Sequence, residues 1–137
     1  KSKRPLVIYG NGINIAGASE ELDFFLKASN IPFVPTWATV DLYGAEEPNL
    51  VGTFGVAATR YGNFAVQKAD LLICIGTRLS YQLTGANKET FSPYSKKVIV
   101  EIEEVELISL SSSDLSLYVA EGMALANYQF LKYFSTL

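Results

Sequence analysis

Two glycine-containing turns follow apolar segments, and the first is Gly10-Asn11-Gly12 after Val7-Ile8-Tyr9. Such a turn is typical of a dinucleotide site, in which Gly-x-Gly-x-x-Gly lets a pyrophosphate approach the backbone. The third glycine position holds Ile15, and the region where an acidic residue would bind the ribose reads Ile31-Pro32-Phe33-Val34. The turn therefore meets only part of the NAD fingerprint. The alternative interpretation is a tight turn between a strand and a helix.

The second turn brings side chains that suit a nucleotide. Gly76-Thr77-Arg78 follows the apolar run Leu71–Ile75, and Glu101 ends a later apolar run. Parallel strands place their carboxyl ends at one edge of a sheet, and ligands bind there where the winding direction reverses. At that edge Arg78 would bind a diphosphate and Glu101 the hydroxyls of a ribose. The alternative is that Arg78 forms a surface salt bridge and that Glu101 is a solvated strand end.

The residue types exclude several kinds of catalysis. The sequence has no histidine, which excludes Ser-His-Asp triads, Cys-His pairs and imidazole metal ligands. Its one cysteine, Cys74, excludes an internal disulfide and a multi-cysteine zinc site, and its apolar neighbours predict a small core residue. We predict no metal site and no catalytic residue in this chain. Catalysis by this chain alone would need carboxylates, lysine, tyrosine or a bound cofactor.

The composition is that of one acidic domain. The chain has 137 residues, 49% of them hydrophobic, and we expect residues 1–137 to form a single domain. A net charge of −3 argues against nucleic acid as a partner, because phosphate-binding surfaces need an excess of lysine and arginine. We also expect no membrane span, since no run of about 18 apolar residues occurs. No signal-peptide pattern is recognised, so a cytoplasmic location is expected.

Apolar runs alternate with helical patterns, which predicts the elements that position the two turns. The predicted strands are Leu6–Tyr9, Ile31–Thr36, Leu71–Ile75, Val98–Ile102 and Leu115–Val119. The predicted helices are 19–29, capped by Ser19, 61–69 and 121–134. Pro32 and Pro35 favour an edge position for the second strand. This alternation is typical of an α/β fold with an open parallel sheet covered on both faces.

Further motifs follow the first turn in a characteristic order. They are Ile31-Pro32-Phe33-Val34-Pro35-Thr36-Trp37, Asp41, Val51-Gly52-Thr53-Phe54-Gly55, Asn63, Ala69-Asp70-Leu71-Leu72-Ile73-Cys74-Ile75-Gly76-Thr77-Arg78-Leu79, Thr84-Gly85 and Val98-Ile99-Val100-Glu101-Ile102. In this order and spacing, the sequence resembles the central domain of thiamine-pyrophosphate-dependent enzymes, in particular acetolactate synthase large subunits and their relatives. The resemblance extends from about Arg4 to Leu107 and continues weakly to the C-terminus.

The resemblance implies a three-layer, Rossmann-like domain with a parallel sheet of about six strands. It also implies a parent enzyme, a transferase or lyase, that uses thiamine pyrophosphate and Mg²⁺ to condense or decarboxylate 2-oxo acids. In such enzymes an N-terminal domain supplies the glutamate that activates the cofactor, and a C-terminal Gly-Asp-Gly…Asn motif holds Mg²⁺ and the diphosphate.

No Gly-Asp-Gly sequence occurs in this chain. We therefore expect the flanking cofactor-binding domains to be absent from it and the chain to be inactive alone. The expected partners are these flanking domains of the parent, which the resemblance implies to be a homo-oligomer, either a dimer or a tetramer.

In flavin-containing relatives the central domain carries FAD along the strand ends, whereas others hold an adenine nucleotide or no flavin. The implied cofactor contacts are Gly10, Asn11, Gly12, Thr36, Trp37, Gly52, Thr53, Gly76, Arg78, Glu101, Ile102 and Gly122. A non-catalytic, structural domain with this edge is the main hypothesis. The alternative is a free-standing Rossmann-like nucleotide-binding or regulatory module.

The sequence departs from the family pattern in three places. Leu79-Ser80-Tyr81-Gln82 stands where Phe-Asp-Asp-Arg is typical, Gly122-Met123 where Gly-Asp is expected, and Phe54 where histidine is common. The first two changes remove charge-assisted hydrogen bonds, each worth about 1.5–3 kcal/mol, to a charged or hydroxylated ligand.

Overall fold

The computed structural model of the protein describes residues 2–101 and the backbone of a strand at 115–119. The strands are β1 Pro5–Tyr9, β2 Phe33–Pro35, β3 Leu71–Ile75, β4 Lys96–Glu101 and β5 Leu115–Val119. The helices are α1 Gly12–Ile15, α2 Ser19–Ser29, α3 Arg60–Lys68 and α4 Tyr81–Thr84, and short 3-10 turns lie at Trp37–Thr39 and Lys88–Thr90.

The strands form one parallel sheet in the order β2-β1-β3-β4-β5. This confirms the predicted α/β fold with an open parallel sheet, and β2 pairs with β1 alone among the named strands. The family resemblance implies about six strands; five lie in the described part of the chain, and no sixth is found there. The predicted helix at 121–134 lies outside the described residues.

Alternate strand residues point to opposite faces of the sheet, and both faces are buried. On one face, strand residues pack against α1 and α2 in a cluster that contains Val7, Tyr9, Ile13, Leu22, Phe25, Leu26, Phe33, Ile73, Ile75 and Val100. On the other face they pack against α3 and the loops in a cluster that contains Leu6, Ile8, Phe54, Val66, Ala69, Leu72, Cys74, Leu79, Phe91 and Ile99. Burial on both faces explains why β1 and β3 read as continuous apolar runs. The arrangement is a three-layer, Rossmann-like one.

The outer edge of β2 is covered by the loop that follows it. The Phe33 N–H donates to the Asn49 carbonyl at 2.9 Å, and the Val51 N–H donates back to the Phe33 carbonyl at 2.9 Å. The Phe54 N–H then donates to the Pro35 carbonyl at 3.0 Å. Residues 49–54 thus satisfy the backbone groups that an edge strand would leave open.

Several element boundaries differ from the sequence prediction by one or two residues, and the differences at β2 and α2 have a clear physical cause. β2 is shorter than Ile31–Thr36 because Pro32 has no N–H for the ladder; its carbonyl still accepts from the Val7 N–H at 3.0 Å. The N-cap of α2 is Ala18, so the prediction of Ser19 as the cap was wrong. The chain has already turned at Ala18, whose N–H donates to the Ile13 carbonyl at 3.0 Å.

Asp70 fastens the start of the chain beside β3. Its carboxylate accepts hydrogen bonds from the Ser2 hydroxyl, from the Lys3 N–H at 2.8 Å and from the Arg4 N–H at 2.9 Å. The Arg4 guanidinium donates to the Lys68 carbonyl at 2.8 Å. These bonds, led by that from Ser2, lower the pKa of Asp70 to about 2 from its ordinary 3.8.

We predict that Asp70 makes the stability of the fold depend on pH in the acid range. Because its pKa is lowered from 3.8 to about 2 on folding, its contribution is fully present above pH 3.8 and is lost as the pH falls towards 2. Asp70→Asn should lower the free energy of unfolding at neutral pH and flatten its decline between these values. Urea unfolding at a series of pH values measures both effects. Glu89→Gln, at an exposed carboxylate, is the control; coincident profiles for Asp70→Asn and the unmodified chain would contradict the prediction.

Candidate functional site

The carboxyl ends of the parallel strands bring most of the predicted site residues to one edge of the sheet. Gly10-Asn11-Gly12 follows β1, Thr36-Trp37 follows β2, Gly76-Thr77-Arg78 follows β3, and Glu101 ends β4. The strand order places β2 on one side of β1 and β3 on the other, so the winding direction reverses between β1 and β3. In open α/β sheets this is the position at which ligands bind.

The two glycine turns contact each other directly at that position. The Gly10 N–H donates to the Ile75 carbonyl at 3.0 Å, and the Gly12 N–H donates to the Gly76 carbonyl at 2.9 Å. A Cβ at Gly10 would lie 2.7 Å from the Cβ of Thr77, and one at Gly12 would lie 2.7 Å from the Gly76 oxygen. The absence of side chains at Gly10 and Gly12 is therefore required by the contact between the turns.

The first turn does not lead straight into a long helix. α1 has only four residues, and the chain then passes through Gly17, whose φ is +63°, before α2 begins. The long helix of this unit is thus separated from the turn, unlike the helix that opens on the pyrophosphate in a standard dinucleotide site. Asn11 is exposed, and its side-chain oxygen accepts a hydrogen bond from the Asn14 amide at 3.2 Å.

Thr36 and Trp37 have different environments although they are adjacent. Thr36 is buried, its N–H donates to the Tyr9 carbonyl at 3.0 Å, and its carbonyl accepts from the Thr39 N–H at 3.0 Å. The Trp37 side chain is 67% exposed. Thr36 thus holds β2 against β1, whereas the Trp37 ring is presented to solvent at the edge.

Thr53 is bound to the start of α3 by a pair of reciprocal hydrogen bonds. The Thr53 N–H donates to the Thr59 hydroxyl and the Thr59 N–H to the Thr53 hydroxyl, both at 3.0 Å. The Thr59 hydroxyl also accepts from the Gly62 N–H at 3.3 Å as the N-cap of α3. A Cβ at Gly52 would lie 2.3 Å from the Tyr61 ring. In this arrangement Gly52 and Thr53 anchor the loop.

Sequence reasoning missed Thr59, which organises this loop. Its signal was available, since threonine before a helical segment is a typical N-cap. Asn63, which the sequence comparison noted without a role, bonds both backbone groups of Gly55: its side-chain oxygen accepts from the N–H at 3.0 Å and its amide donates to the carbonyl at 2.8 Å. Asn63 and Gly55 are eight residues apart, and no periodic pattern connects a loop residue with a helix residue at this spacing, so their pairing required the structure.

Arg78 and Glu101 differ in exposure. Arg78 is exposed after the second turn, at a point where Gly76 has a φ of +57° that favours glycine. Glu101 is 8% exposed at the end of β4, which contradicts the alternative interpretation of a solvated strand end. Ile102 and Gly122, the remaining predicted contacts, lie outside the described residues.

Neither the cysteine nor a carboxylate cluster offers reactive chemistry in the described part of the chain. Cys74 is fully buried, and this burial raises the pKa of its thiol to about 12, so it stays a protonated core residue. Within residues 2–101 and 115–119, no group of three histidine, cysteine, aspartate or glutamate side chains is placed to hold a metal ion.

A cavity of about 210 Å³ lies apart from this edge, between α2 and the loop that follows β2. It is lined by Asp23, Leu26, Lys27, Asn30, Phe33, Tyr43, Glu47, Pro48 and Asn49, none of which is a predicted site residue. Burial, followed by the carboxylates of Asp23 and Glu47, raises the pKa of Tyr43 to about 12. The Tyr43 hydroxyl donates to Asp23 at 3.5 Å, and Asp23 also pairs with Lys27 at 2.7 Å. The polar groups of Asp23, Lys27 and Tyr43 are thus engaged with one another.

Three side chains at the strand ends, the exposed Trp37 and Arg78 and the buried Glu101, suit different parts of an adenine nucleotide. A guanidinium at Arg78 suits a diphosphate, a carboxylate at Glu101 suits ribose hydroxyls, and an indole at Trp37 suits a planar ring. Gly10 and Gly12, by contrast, face the second turn at close range. The donor set is compatible with a nucleotide that lies across the edge.

The order of the strands and the crevice at their carboxyl ends define a doubly wound, Rossmann-like α/β domain. The family model described as thiamine pyrophosphate enzyme, central domain, matches residues 1–126, and the chain belongs to this family. In the described residues no helix is long and apolar enough to cross a membrane.

Individual relatives agree with this assignment. The chain is similar to the acetolactate synthase isozyme 2 large subunit of Escherichia coli, with 32% identity over 117 residues, which are 85% of this chain and 21% of that protein. A probable acetolactate synthase large subunit of Methanocaldococcus jannaschii is 34% identical over 107 residues, 78% of this chain and 18% of that protein. A 3D-(3,5/4)-trihydroxycyclohexane-1,2-dione hydrolase of Halalkalibacterium halodurans is 33% identical over 118 residues, 86% of this chain and 17% of that protein. The chain thus spans about a fifth of the length of these relatives.

We predict that Gly12→Ala destabilises the fold. Its Cβ would meet backbone atoms of Gly76 at 2.7–3.0 Å, so the two turns must separate, at a cost of about 1–3 kcal/mol in the free energy of unfolding. Urea denaturation measures this. Asn11→Ala, at the exposed neighbour, is the matched control and should change stability by less than about 0.5 kcal/mol. Equal stability of the two variants would contradict the prediction, because it would show that the two turns can separate with no loss in the free energy of unfolding.

Proposed function

We propose that this chain is the central, non-catalytic domain of a thiamine-pyrophosphate enzyme of acetolactate synthase type, which acts on 2-oxo acids. The observation that carries the proposal is the family match over residues 1–126 on a doubly wound sheet. In the parent enzyme the cofactor, with Mg²⁺, would supply the chemistry at the 2-oxo group. This domain would position the flanking cofactor-binding domains of a homo-oligomeric parent, and its cytoplasmic location stays a prediction.

We further propose that the strand-end edge binds FAD or an adenine nucleotide. Support comes from Trp37 and Arg78, which are exposed at the ends of β2 and β3, and from Glu101 at the end of β4. Arg78 would contact the diphosphate and Glu101 the ribose. The contacts proposed at Asn11 and the adjoining glycines would be made by groups at the outer surface of the first turn.

A second candidate for the parent enzyme is a trihydroxycyclohexane-1,2-dione hydrolase, because the chain is also similar to such a protein. The trihydroxycyclohexane-1,2-dione hydrolase is 33% identical to the chain, and the Escherichia coli acetolactate synthase subunit 32%, so identity does not separate the two activities. The complete product of the encoding gene should be assayed with a 2-oxo acid and with the cyclic dione, each with and without thiamine pyrophosphate and Mg²⁺. Cofactor-dependent turnover of the 2-oxo acid supports the proposal. Turnover of the dione alone favours the second candidate, and turnover of neither favours a free-standing nucleotide-binding module.

We predict that an adenine nucleotide stabilises the chain and that Arg78→Ala weakens this effect. A ligand at 100 times its Kd raises the free energy of unfolding by about 2.7 kcal/mol. Loss of a charge-assisted hydrogen bond should cost about 1.5–3 kcal/mol of binding, or roughly tenfold or more in Kd. Thermal unfolding in the presence of ADP or FAD measures both.

Arg60→Ala, at another exposed arginine, is the matched control and should leave the affinity unchanged. A thermal stability that neither ADP nor FAD changes would contradict the proposed nucleotide site. Unchanged affinity in Arg78→Ala, with loss of stability, would assign Arg78 a structural role.

A further inference from the structure

A patch of exposed apolar side chains lies on the α3 side of the sheet. Tyr61 and Phe64 occupy the solvent face of α3, opposite the buried Gly62 and Val66. Together with residues of the adjoining loop and of α4 they form what we call the α3 patch, with these exposed fractions: Val56 81%, Tyr61 61%, Phe64 62% and Tyr81 69%.

Hydrogen bonds hold the loop part of the α3 patch in place. The Val56 N–H donates to the Gln82 carbonyl in α4 at 3.1 Å. The preceding residue, Gly55, is held by both groups of the Asn63 side chain in α3. Val56 is therefore fixed between α3 and α4, and the patch is a built surface that needs no rearrangement to be presented.

The charges around the α3 patch are basic. Arg60 and Lys68 lie on the same face of α3 as Phe64, and the Lys68 ammonium is 5.5 Å from the centroid of the Phe64 ring. In the part of the chain that the structure describes, neither Arg60 nor Lys68 forms an ion pair. Residues 51–100 contain six lysines and arginines against two acidic residues, whereas residues 11–50 contain one against six. Within residues 11–100, the basic residues thus lie mainly in the part of the chain that includes α3, and the acidic residues mainly in the part that includes α2.

We propose that the α3 patch is a docking surface for the part of the parent polypeptide outside this domain. The surface that docks there has apolar side chains at its centre and acidic side chains around them. The inference rests on the proposed function, in which the chain is one domain of a larger enzyme. The chain spans about a fifth of its relatives, so most of such a parent lies elsewhere. Exposed aromatic side chains flanked by the cations of Arg60 and Lys68 match the composition of an interface core and part of its complementary rim.

A second copy of the chain fits the α3 patch less well. Within residues 11–100 of a copy, the acidic residues are concentrated in 11–50, the part that includes α2, so a contact with them would join unlike faces. Such a heterologous contact does not close into a dimer and continues into a ring or filament. The flanking polypeptide is therefore the occupant that the charges and the share of length favour.

Cysteine labelling of the complete gene product tests this docking. Ala57→Cys places a reporter in the exposed loop next to Val56, and Ala45→Cys is the matched control in an exposed turn on the acidic side. The natural Cys74 is buried in the native protein but becomes exposed in urea, so the same labelling of the unmodified protein gives the background to be subtracted. In the native protein, Ala57→Cys should react with a maleimide about tenfold more slowly than in the urea-denatured protein. Ala45→Cys should react at nearly the same rate in both.

Charge reversal identifies the chemistry of the occupant. Arg60→Glu with Lys68→Glu should restore fast labelling at position 57, whereas Lys88→Glu with Lys96→Glu, at exposed lysines elsewhere, should not.

Fast labelling of Ala57→Cys in the unmodified background would overturn the proposal. Protection that disappears on dilution would assign the patch to a second copy, and protection that survives reversal would exclude an acidic occupant. Turnover of the 2-oxo acid is measured separately. Fast labelling of Ala57→Cys in an enzyme that turns over the 2-oxo acid would contradict the docking surface alone, whereas absence of turnover would contradict the proposed function.

Discussion

The close contact between two backbone turns, Gly10–Gly12 and Gly76–Thr77, determines how this edge of the sheet is built. Each first-turn glycine lies where a Cβ would approach the second turn to 2.7 Å, and the turns are joined by a 2.9 Å hydrogen bond. Because packed interiors do not give way easily, this contact fixes the ends of β1 and β3 relative to each other. The base of the crevice at the ends of β1 and β3 is therefore formed by backbone atoms. Only groups further from the sheet are available to a ligand.

The division between buried and presented groups follows from that constraint. Thr36 and Thr53 use their polar groups within the fold, as a link between β1 and β2 and as a link to the cap of α3. Trp37 and Arg78 are exposed at the same edge. Relatives with two different named activities share this domain at similar identity, as expected if function resides in sites grafted on a common scaffold.

The sequence was sufficient for those parts of the fold that depend on local pattern. Leu71–Ile75 was predicted with its observed bounds because a continuous apolar run stops at Gly76, and the edge position of β2 followed from its prolines. That parallel strands bring the two glycine turns and Arg78 to one edge also followed from topology. The reciprocal bonding of Thr53 with Thr59 and the burial of Glu101 did not, because they depend on partners or packing that no local periodicity encodes.

The loop that runs alongside β2 also limits how copies of this domain can associate. Its backbone bonds at Asn49, Val51 and Phe54 occupy the donors and acceptors of β2 that would otherwise pair with a strand from another molecule. A continuous intermolecular sheet cannot form across this border unless the loop is first displaced. Contacts between copies on this side must therefore be made by the loop, which places their specificity in residues that can change without disturbing β2.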